Sequence, residues 1–215
     1  MIELKAYAGL IRNHAELAAE LGIDTAGCTR DERERKLIVA AWDRWGKDLG
    51  LHINGQFAFV LYDADACELF CARDPLGAEL IFYYETSDGR LLYGLQIKDL
   101  FDQPGFKREL NREMIQFYLG FNYVPGEDTL FKGVRKLEPG GYLTFSSSGL
   151  KLGRYWELTF EPDESKTLEE WADELDAAFE ASLATLVDED EEFDSFLSSG
   201  VDSSFILAKS RAKKA

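Results

Sequence analysis

The chain has 215 residues, of which 46% are hydrophobic, and a formal net charge of −16. This length and composition are typical of a globular protein with one or two packed domains. The negative charge argues against a nucleic-acid partner, because phosphates require a basic surface. The sequence has no run of 18 apolar residues and no signal-peptide pattern at its start, so we expect no membrane partner and a cytoplasmic location.

The three cysteines Cys28, Cys67 and Cys71 cannot all pair within one chain. Reduced thiols fit the expected compartment. We expect Cys67 and Cys71 to be buried thiols and not metal ligands, because no second cysteine pair and no histidine pair accompanies them in the sequence.

Two helices are predicted near the start of the chain. The first covers residues 13–22, with Asn13 as its amino-terminal cap and Gly22 at its end. The second covers residues 33–49 and is amphipathic. Its apolar stripe contains Leu37, Ala40, Ala41 and Trp45.

Aromatic and β-branched runs then alternate with turn residues, which indicates strands and hairpins. These runs occupy residues 55–63, 67–74, 80–95 and 140–158. Residues 85–90 contain Asp-Gly and predict a tight hairpin turn. Residues 110–120 predict a helix that begins at Asn111 and stops at Gly120. The resulting fold class is a mixed α+β domain that extends to about Leu158.

The segment that follows is organised differently. Residues 159–167 are polar and acidic and indicate a linker. Thr167 and Glu170 form a capping-box pattern that opens a new helix. The stripe of that helix contains Leu168, Trp171, Leu175, Phe179 and Leu186. Residues 191–197 predict a short strand, and residues 205–215 predict a helix with basic residues in its last turn.

A turn of small and hydroxyl residues lies between this predicted strand and helix. It contains Ser198, Ser199, Gly200, Asp202 and Ser203. Small residues let backbone N–H groups approach an anion, and a helix amino terminus favours negative charge. An ordinary strand-to-helix turn capped by serine or aspartate is the alternative, and the turn by itself does not decide between them.

Four stretches of the sequence match one protein family in order and spacing, and this match favours an anion site over an ordinary turn. "NGQFAFVLYD", "CARDPLG", "YVPGEDTLFKGVRKLEPGGYL" and "FLSSGVDSS" resemble glutamine-hydrolysing asparagine synthetase. The resemblance implies an incomplete N-terminal-nucleophile αββα glutaminase-like domain over residues 1–158 and a linker over 159–167. Residues 168–215 would begin an α/β ATP-pyrophosphatase domain, which adenylates aspartate with ATP and magnesium and receives ammonia through a tunnel.

The resemblance also assigns roles to the small-residue turn. It implies that Leu197 lies beside the nucleotide and that Asp202 helps to hold magnesium. It further implies that the turn binds pyrophosphate through Ser198, Ser199, Gly200 and Ser203. Ser199 departs from the family pattern, which has glycine at that position.

The glutamine pocket departs further from the family pattern. Ala8 stands where the family has its oxyanion-hole asparagine, and Leu10 stands where a glutamate binds the substrate amine. Gly9 matches, and Glu34 replaces an aspartate that binds the substrate ammonium. We therefore expect a degenerate pocket, since loss of one oxyanion donor costs about a hundredfold or more in rate. A shifted alignment in this region is the alternative.

The family nucleophile is a processed terminal cysteine. This sequence starts Met1-Ile2-Glu3, so we expect none of its residues to be catalytic. Arg73-Asp74 keeps a family turn signature, and Gln96 replaces a usual glutamate. We expect structural roles for these three residues.

Three interpretations follow. The first is a truncated asparagine synthetase, inactive alone and with weak or no ATP affinity, whose parent enzyme uses glutamine, aspartate and ATP. The second is a related adenylating ligase with an idle glutaminase domain, similar to β-lactam synthetases and lasso-peptide cyclases. The third is a non-catalytic remnant that binds a partner through the Trp171 helix. The first is preferred, and the resemblance suggests a homodimer.

Overall fold

The computed structural model describes residues 1–186 and 195–211. These residues belong to two compact units, Met1–Leu158 and Thr159–Ala215. The first unit mixes helices and antiparallel strands, which confirms the predicted mixed fold class. The assignment of the second unit to an ATP-pyrophosphatase domain stays a prediction.

The first unit contains eight strands in two antiparallel sheets. The strands are β1 (Ile2–Ile11), β2 (Gly55–Asp63), β3 (Glu68–Arg73), β4 (Phe82–Glu85), β5 (Leu91–Gly94), β6 (Arg135–Lys136), β7 (Gly141–Ser146) and β8 (Gly149–Arg154). The larger sheet has the order β1-β2-β3-β7-β8, and the smaller sheet has the order β5-β4-β6. β1 is therefore an edge strand of the larger sheet.

Helices of two kinds complete the first unit. The α-helices are α1 (His14–Leu21), α2 (Arg30–Trp45) and α3 (Ile115–Phe121), and the 3₁₀ segments are Gly46–Leu51, Ile97–Leu100 and Arg112–Met114. The start of α2 was predicted too late. A capping box at Thr29 and Glu32 opens that helix one turn before residue 33.

Three clusters of apolar side chains define the layers. The largest lies between α1, α2 and one face of the larger sheet, and it includes Leu37, Ile38 and Phe59. A second cluster joins the other face of that sheet to the smaller sheet, since it combines Val60 with Ile81. A third covers the far face of the smaller sheet. The order of layers is helices, larger sheet, smaller sheet and a final layer of loops with short helical segments.

Two predicted helix ends were wrong in detail. Asn13 precedes α1, but its side chain makes no capping bond. Instead its Nδ2 donates to the His52 carbonyl at 2.9 Å, and its Oδ1 accepts from Asn54 N at 2.9 Å. Gly120 lies inside α3, which ends at Asn122 in the left-handed conformation. Gly22 ends α1 with φ of 66°, as predicted.

Two glycines allow β1 and β2 to approach closely at one end. Gly9 has φ of 141°, and a Cβ added there would lie 2.1 Å from the Gln56 carbonyl oxygen. Gly55 has φ of 154°, and its Cβ would lie 2.1 Å from the Leu10 oxygen. Any side chain at either position would collide with the opposite backbone.

The second unit contains α4 (Leu168–Leu186) and α5 (Val201–Arg211). The predicted capping box opens α4, since Thr167 N donates to Glu170 Oε2 at 2.7 Å. The predicted strand over residues 191–197 is not formed in its described part, residues 195–197, where no neighbouring strand supplies a ladder. Its first four residues lie outside the described residues.

Side chains join the two helices of the second unit. The rings of Phe179 and Phe205 lie 4.9 Å apart, and Lys209 Nζ contacts Asp176 and Glu180. The apolar stripe of α4 remains largely exposed, with Leu175 at 71%. Among the helices of residues 1–186 and 195–211, none has the length and apolar character needed to cross a membrane.

Candidate functional site

Glu34 is a buried carboxylate in the apolar stripe of α2. It precedes Leu37 and Ile38 by one helical turn, so it faces the same core. The residue is 1% exposed. Carboxylates are rarely buried to this extent unless they are paired or hydrogen-bonded. The hydrogen-bond partners of Glu34 therefore determine whether its carboxylate is available to a ligand.

Both oxygens of Glu34 accept hydrogen bonds from β1. Oε2 accepts from the Tyr7 hydroxyl at 2.7 Å, and Oε1 accepts from Ile11 N at 3.2 Å. Burial, followed by the hydrogen bond to Glu34, raises the pKa of Tyr7 well above its usual range. The phenol therefore stays protonated and remains a donor to Glu34 across the neutral pH range.

The hydrogen bonding of β1 fixes the direction of the Gly9 amide. Gly9 pairs with Phe57 of β2, and the Phe57 carbonyl accepts from Asp74 N on its other side. The Gly9–Phe57 pair is therefore a pair without ladder hydrogen bonds, and the Gly9 N–H points to the open edge of β1. Ile11 N points to the same edge, where it reaches Glu34.

The predicted pocket residues do not converge as side chains. Successive residues of a strand face opposite sides of a sheet. Tyr7 and Ile11 pack with the cluster beside α2, so Ala8 and Leu10 project from the other face. Glu34 meets the edge of β1 on the Tyr7 side.

Tyr7 was missed at the sequence level. Its position two residues before Gly9, on the same face of the strand, is the signal that could have found it. The expectation that Ala8, Gly9, Leu10 and Glu34 line a glutamine pocket stays a prediction.

Arg73 and Asp74 hold a turn together, which confirms their expected structural role. Arg73 donates to the carbonyl oxygens of Glu79, Leu137 and Gly77 at 2.5, 2.7 and 2.6 Å. Asp74 accepts from the backbone amides that follow the turn, Ala78 N and Glu79 N. Burial lowers the pKa of Arg73, and Asp74 opposes this effect.

Gln96 also has a structural position. It precedes the short helical segment Ile97–Leu100, and its backbone N donates to Asp99 Oδ2 at 2.8 Å. This contact closes the first turn of that segment. The expected structural role of the Gln96 side chain stays a prediction, because this contact uses only the backbone of residue 96.

The cysteines differ from the prediction in one case. Cys71 is 1% exposed, as expected, and burial raises the pKa of its thiol above the usual range. Cys67 is exposed instead of buried, because it lies in the turn between β2 and β3 with φ of 49°. Within the described ranges 1–186 and 195–211, no group of three or more His, Cys, Asp or Glu side chains is placed to hold a metal.

The small-residue turn before α5 is held by its own hydroxyl groups. The oxygens of Ser198 and Ser203 lie 2.8 Å apart, and Gly200 N donates to Ser198 Oγ at 3.0 Å. Ser198 N donates to Ser203 Oγ at 3.1 Å. Leu197 is 63% exposed. The turn is therefore an exposed loop at a helix start.

The turn contains the donor types that bind a phosphate group, but Ser198 N and Gly200 N donate to serine oxygens within the turn, so a phosphate would have to replace these contacts. The turn combines hydroxyl groups and amides at the amino terminus of α5, where the helix dipole favours an anion. Asp202 is the acidic residue of the first turn of α5. A single carboxylate together with phosphate oxygens is a common ligand set for magnesium. The predicted roles of Leu197, Ser199 and Asp202 stay predictions.

Comparison with known proteins identifies the first unit. The glutamine amidotransferase domain family matches residues 3–156. Over 208 residues the chain is 32% identical to a Mycobacterium bovis protein whose name is that of a glutamine-hydrolyzing asparagine synthetase. The match covers 94% of this chain and 32% of that protein. The chain is 31% identical over 205 residues to asparagine synthetase (glutamine-hydrolyzing) 3 of Bacillus subtilis, and this match covers 94% of this chain and 33% of that protein. The chain thus spans about a third of the length of these relatives.

Two solved structures are also similar. One is glutamine phosphoribosylpyrophosphate amidotransferase of B. subtilis with ADP and GMP, at 17% identity and a TM-score of 0.46, covering 72% of this chain and 29% of that one. The other, an allosteric regulatory enzyme of purine biosynthesis, has 16% identity and a TM-score of 0.48, covering 72% and 28%. Family membership rests on the domain match, which covers well over half of the sequence. The chain belongs to the glutamine amidotransferase domain family, and its relatives include glutamine-hydrolysing asparagine synthetases.

Proposed function

We propose that the chain serves an asparagine-synthetase-type ligase and that its first unit is a glutaminase-type domain that does not hydrolyse glutamine. The reaction of the whole enzyme is the ATP-dependent amidation of aspartate. The names of the relatives support this assignment. The observation that carries the second part is the occupied carboxylate of Glu34, which accepts from Tyr7 and Ile11.

The occupied carboxylate disfavours a substrate ammonium. A ligand that binds Glu34 Oε2 must displace the Tyr7 hydroxyl, which lies 2.7 Å away in a partly buried contact. Hydrogen bonds to charged groups contribute about 1.5–3 kcal/mol each. A glutamine molecule would therefore have to replace an interaction that the folded chain already makes.

The apolar residues on either side of Gly9, Ala8 and Leu10, also disfavour glutamine hydrolysis. Alanine and leucine side chains offer no donor to an oxyanion and no acceptor to an amine. Removing one oxyanion donor typically lowers kcat by about a hundred- to a thousandfold. Ala8 and Leu10 on one face of β1 and, separately, the occupied Glu34 on the Tyr7 side thus support an idle glutaminase domain.

The second unit supports the ligase assignment through its loop chemistry. We propose that Ser198, Ser199, Gly200 and Ser203 contact the pyrophosphate of ATP, with Leu197 beside the nucleotide and Asp202 as a magnesium ligand. Loop amides and hydroxyls offset the negative charge that develops during adenylation. We further propose that the whole enzyme binds glutamine, aspartate and ATP. It would form a homodimer and lie in the cytoplasm.

Glutamine turnover tests the idle domain. The purified chain is incubated with L-glutamine, and glutamate release is followed beside an active glutamine-hydrolysing relative. We expect no release above the enzyme-free rate. Glutamate release by this chain that is abolished by a glutamine-analogue alkylating agent would contradict the proposal.

Nucleotide titration tests the second unit. We expect no micromolar affinity for ATP with magnesium in the 215-residue chain, because the contacts proposed for residues 198–203 involve only the phosphates and the metal. A dissociation constant in the micromolar range would show that the chain binds ATP by itself. The same titration with Asp202→Asn serves as the matched control for the metal.

A second candidate function is an adenylating ligase of the β-lactam synthetase or lasso-peptide cyclase type. The apolar character of Ala8 and Leu10 favours it, because such enzymes resemble this family but keep an idle glutaminase domain. The polypeptide of the whole reading frame is assayed for pyrophosphate release with aspartate. Release that depends on aspartate supports asparagine synthesis, whereas release with another acid supports the second candidate.

A further inference from the structure

We infer that Tyr7 is the residue that closes Glu34 to ligands that carry a primary ammonium group. This inference rests on the proposed idle glutaminase domain and names the side chain responsible for it. The Tyr7 hydroxyl donates to Glu34 Oε2 at 2.7 Å. It thereby occupies the position from which an amino-acid ammonium would donate.

The first argument is that Glu34 has no cationic partner among the described residues. The ion pairs formed within residues 1–186 and 195–211 do not include this carboxylate. Its two hydrogen-bond donors, Tyr7 and Ile11, are both neutral. A carboxylate that is 1% exposed usually has a cationic partner or several donors. A cationic donor is therefore the type of partner that this carboxylate lacks.

The second argument is that the two donors differ in how easily they can be removed. Ile11 N belongs to the backbone of β1 and stays with the strand. The Tyr7 hydroxyl belongs to a side chain, and a substitution removes it without a change in the backbone. An ammonium offers three donors and forms charge-assisted bonds about twice as strong as neutral ones. Tyr7 is thus the replaceable donor.

The third argument is access. β1 is the edge strand of the larger sheet, and Tyr7 is half-buried whereas Glu34 is fully buried. Tyr7 is therefore in contact with solvent and, through its hydroxyl, with the buried carboxylate. We expect a shorter side chain at position 7 to give solvent access to this carboxylate.

The test is a gain of binding. L-glutamine is titrated by calorimetry into the wild-type chain and into Tyr7→Phe and Tyr7→Val. Phenylalanine removes only the hydroxyl, and valine also removes the ring while keeping a residue that suits a strand. We expect the association constant of Tyr7→Val for L-glutamine to rise at least about tenfold above wild type, the factor that corresponds to one charge-assisted hydrogen bond. A smaller rise is expected for Tyr7→Phe.

Three controls identify the groups responsible for binding. Glutaramate keeps the amide and carboxylate of glutamine but lacks its ammonium, so it should not bind Tyr7→Val. Adding Glu34→Gln to Tyr7→Val should abolish the gain. Tyr142→Phe removes the hydroxyl of another half-buried tyrosine that packs on the same cluster, and it should leave binding as in the wild type.

Each outcome decides a different point. Folded Tyr7→Phe and Tyr7→Val that bind glutamine no better than wild type would overturn the role of Tyr7 and leave the idle domain standing. Binding by the wild type would overturn the idle domain itself. Should Tyr7→Val not fold, as judged by circular dichroism, Tyr7→Phe decides alone. A gain that survives Glu34→Gln would also overturn the inference.

Discussion

The contact between β1 and α2 in the first unit and the contact between α4 and α5 in the second both depend on carboxylates. Glu34 is 1% exposed and accepts from two neutral donors. Lys209 joins Asp176 and Glu180 on the surface, where these carboxylate side chains are 43% and 51% exposed. The second contact involves more charges, but water screens them. We therefore expect burial, more than the number of charges, to decide how strongly each contact stabilises its unit.

The largest expected effect is at Gly9, beneath the first contact. Gly9→Ala should destabilise the first unit by about 4 kcal/mol, because the strain of positive φ and overpacking each cost about 1–3 kcal/mol. The new Cβ would lie 2.1 Å from the Gln56 oxygen. Urea unfolding followed by tryptophan fluorescence measures the change. Gly120→Ala, in a helix with nothing within 4 Å of the added Cβ, should instead stabilise by about 0.5–1 kcal/mol. Equal effects of the two substitutions would contradict the close approach of β1 and β2.

The second largest loss of stability is expected for Glu34→Ala, which removes the contact between β1 and α2 directly. It leaves the Tyr7 hydroxyl and Ile11 N without their acceptor. We expect a loss of about 3 kcal/mol, since each buried unsatisfied group costs about 1–3 kcal/mol. The matched control is Asp31→Ala on the same helix, whose exposed pair with Arg35 is worth less than about 1 kcal/mol. Unfolding free energies within 0.5 kcal/mol of each other, a margin of roughly one exposed pair, would argue against a buried network.

A third prediction uses pH to sharpen the comparison. Burial raises the pKa of the Cys71 thiol above its unfolded value of about 8.5. The unfolded chain therefore releases this proton first, so the stability is fully present below about pH 8.5 and falls as the pH rises further. The expected slope is about 1.4 kcal/mol per pH unit. Cys71→Ala should reduce the slope, and Cys67→Ala, at an exposed position, should not. A slope that is unchanged in Cys71→Ala would contradict the burial of this thiol.

The smallest effect is expected on the surface of the second unit. Lys209→Ala removes both ion pairs with α4 but should reduce helix stability by no more than about 1 kcal/mol. Thermal melting followed by circular dichroism measures this change. High salt should weaken the wild-type contact and leave the variant unaffected. A loss as large as that of Glu34→Ala would remove the distinction between the two contacts.

Local sequence patterns predicted the central strands well. The run over residues 55–63 coincides with β2, and the Asp-Gly turn at residues 85–90 joins β4 to β5. These segments succeed because alternation and turn chemistry are local properties of the chain. β1 escaped detection because Ala6, Ala8 and Gly9 have little β-propensity, and its position depends on pairing with β2.

The site was less accessible to sequence reasoning. The hydrogen bond between Tyr7 and Glu34 joins a strand to a helix that follows it by many residues, and no local pattern encodes such a contact. Asn13 failed as a cap for the same reason, because His52 and Asn54 compete for its side chain. Glu34 itself was named only through the resemblance to a family, which gave the position but not the partner.

The Tyr7–Glu34 pair also has a consequence for sequence drift. Losing either residue alone leaves a buried group unsatisfied, whereas replacing both with apolar residues of similar shape is nearly neutral. Single changes at these positions therefore cost stability, and we expect the two positions to change together among descendants of this sequence. The stability of the pair would favour its retention even where glutamine plays no part.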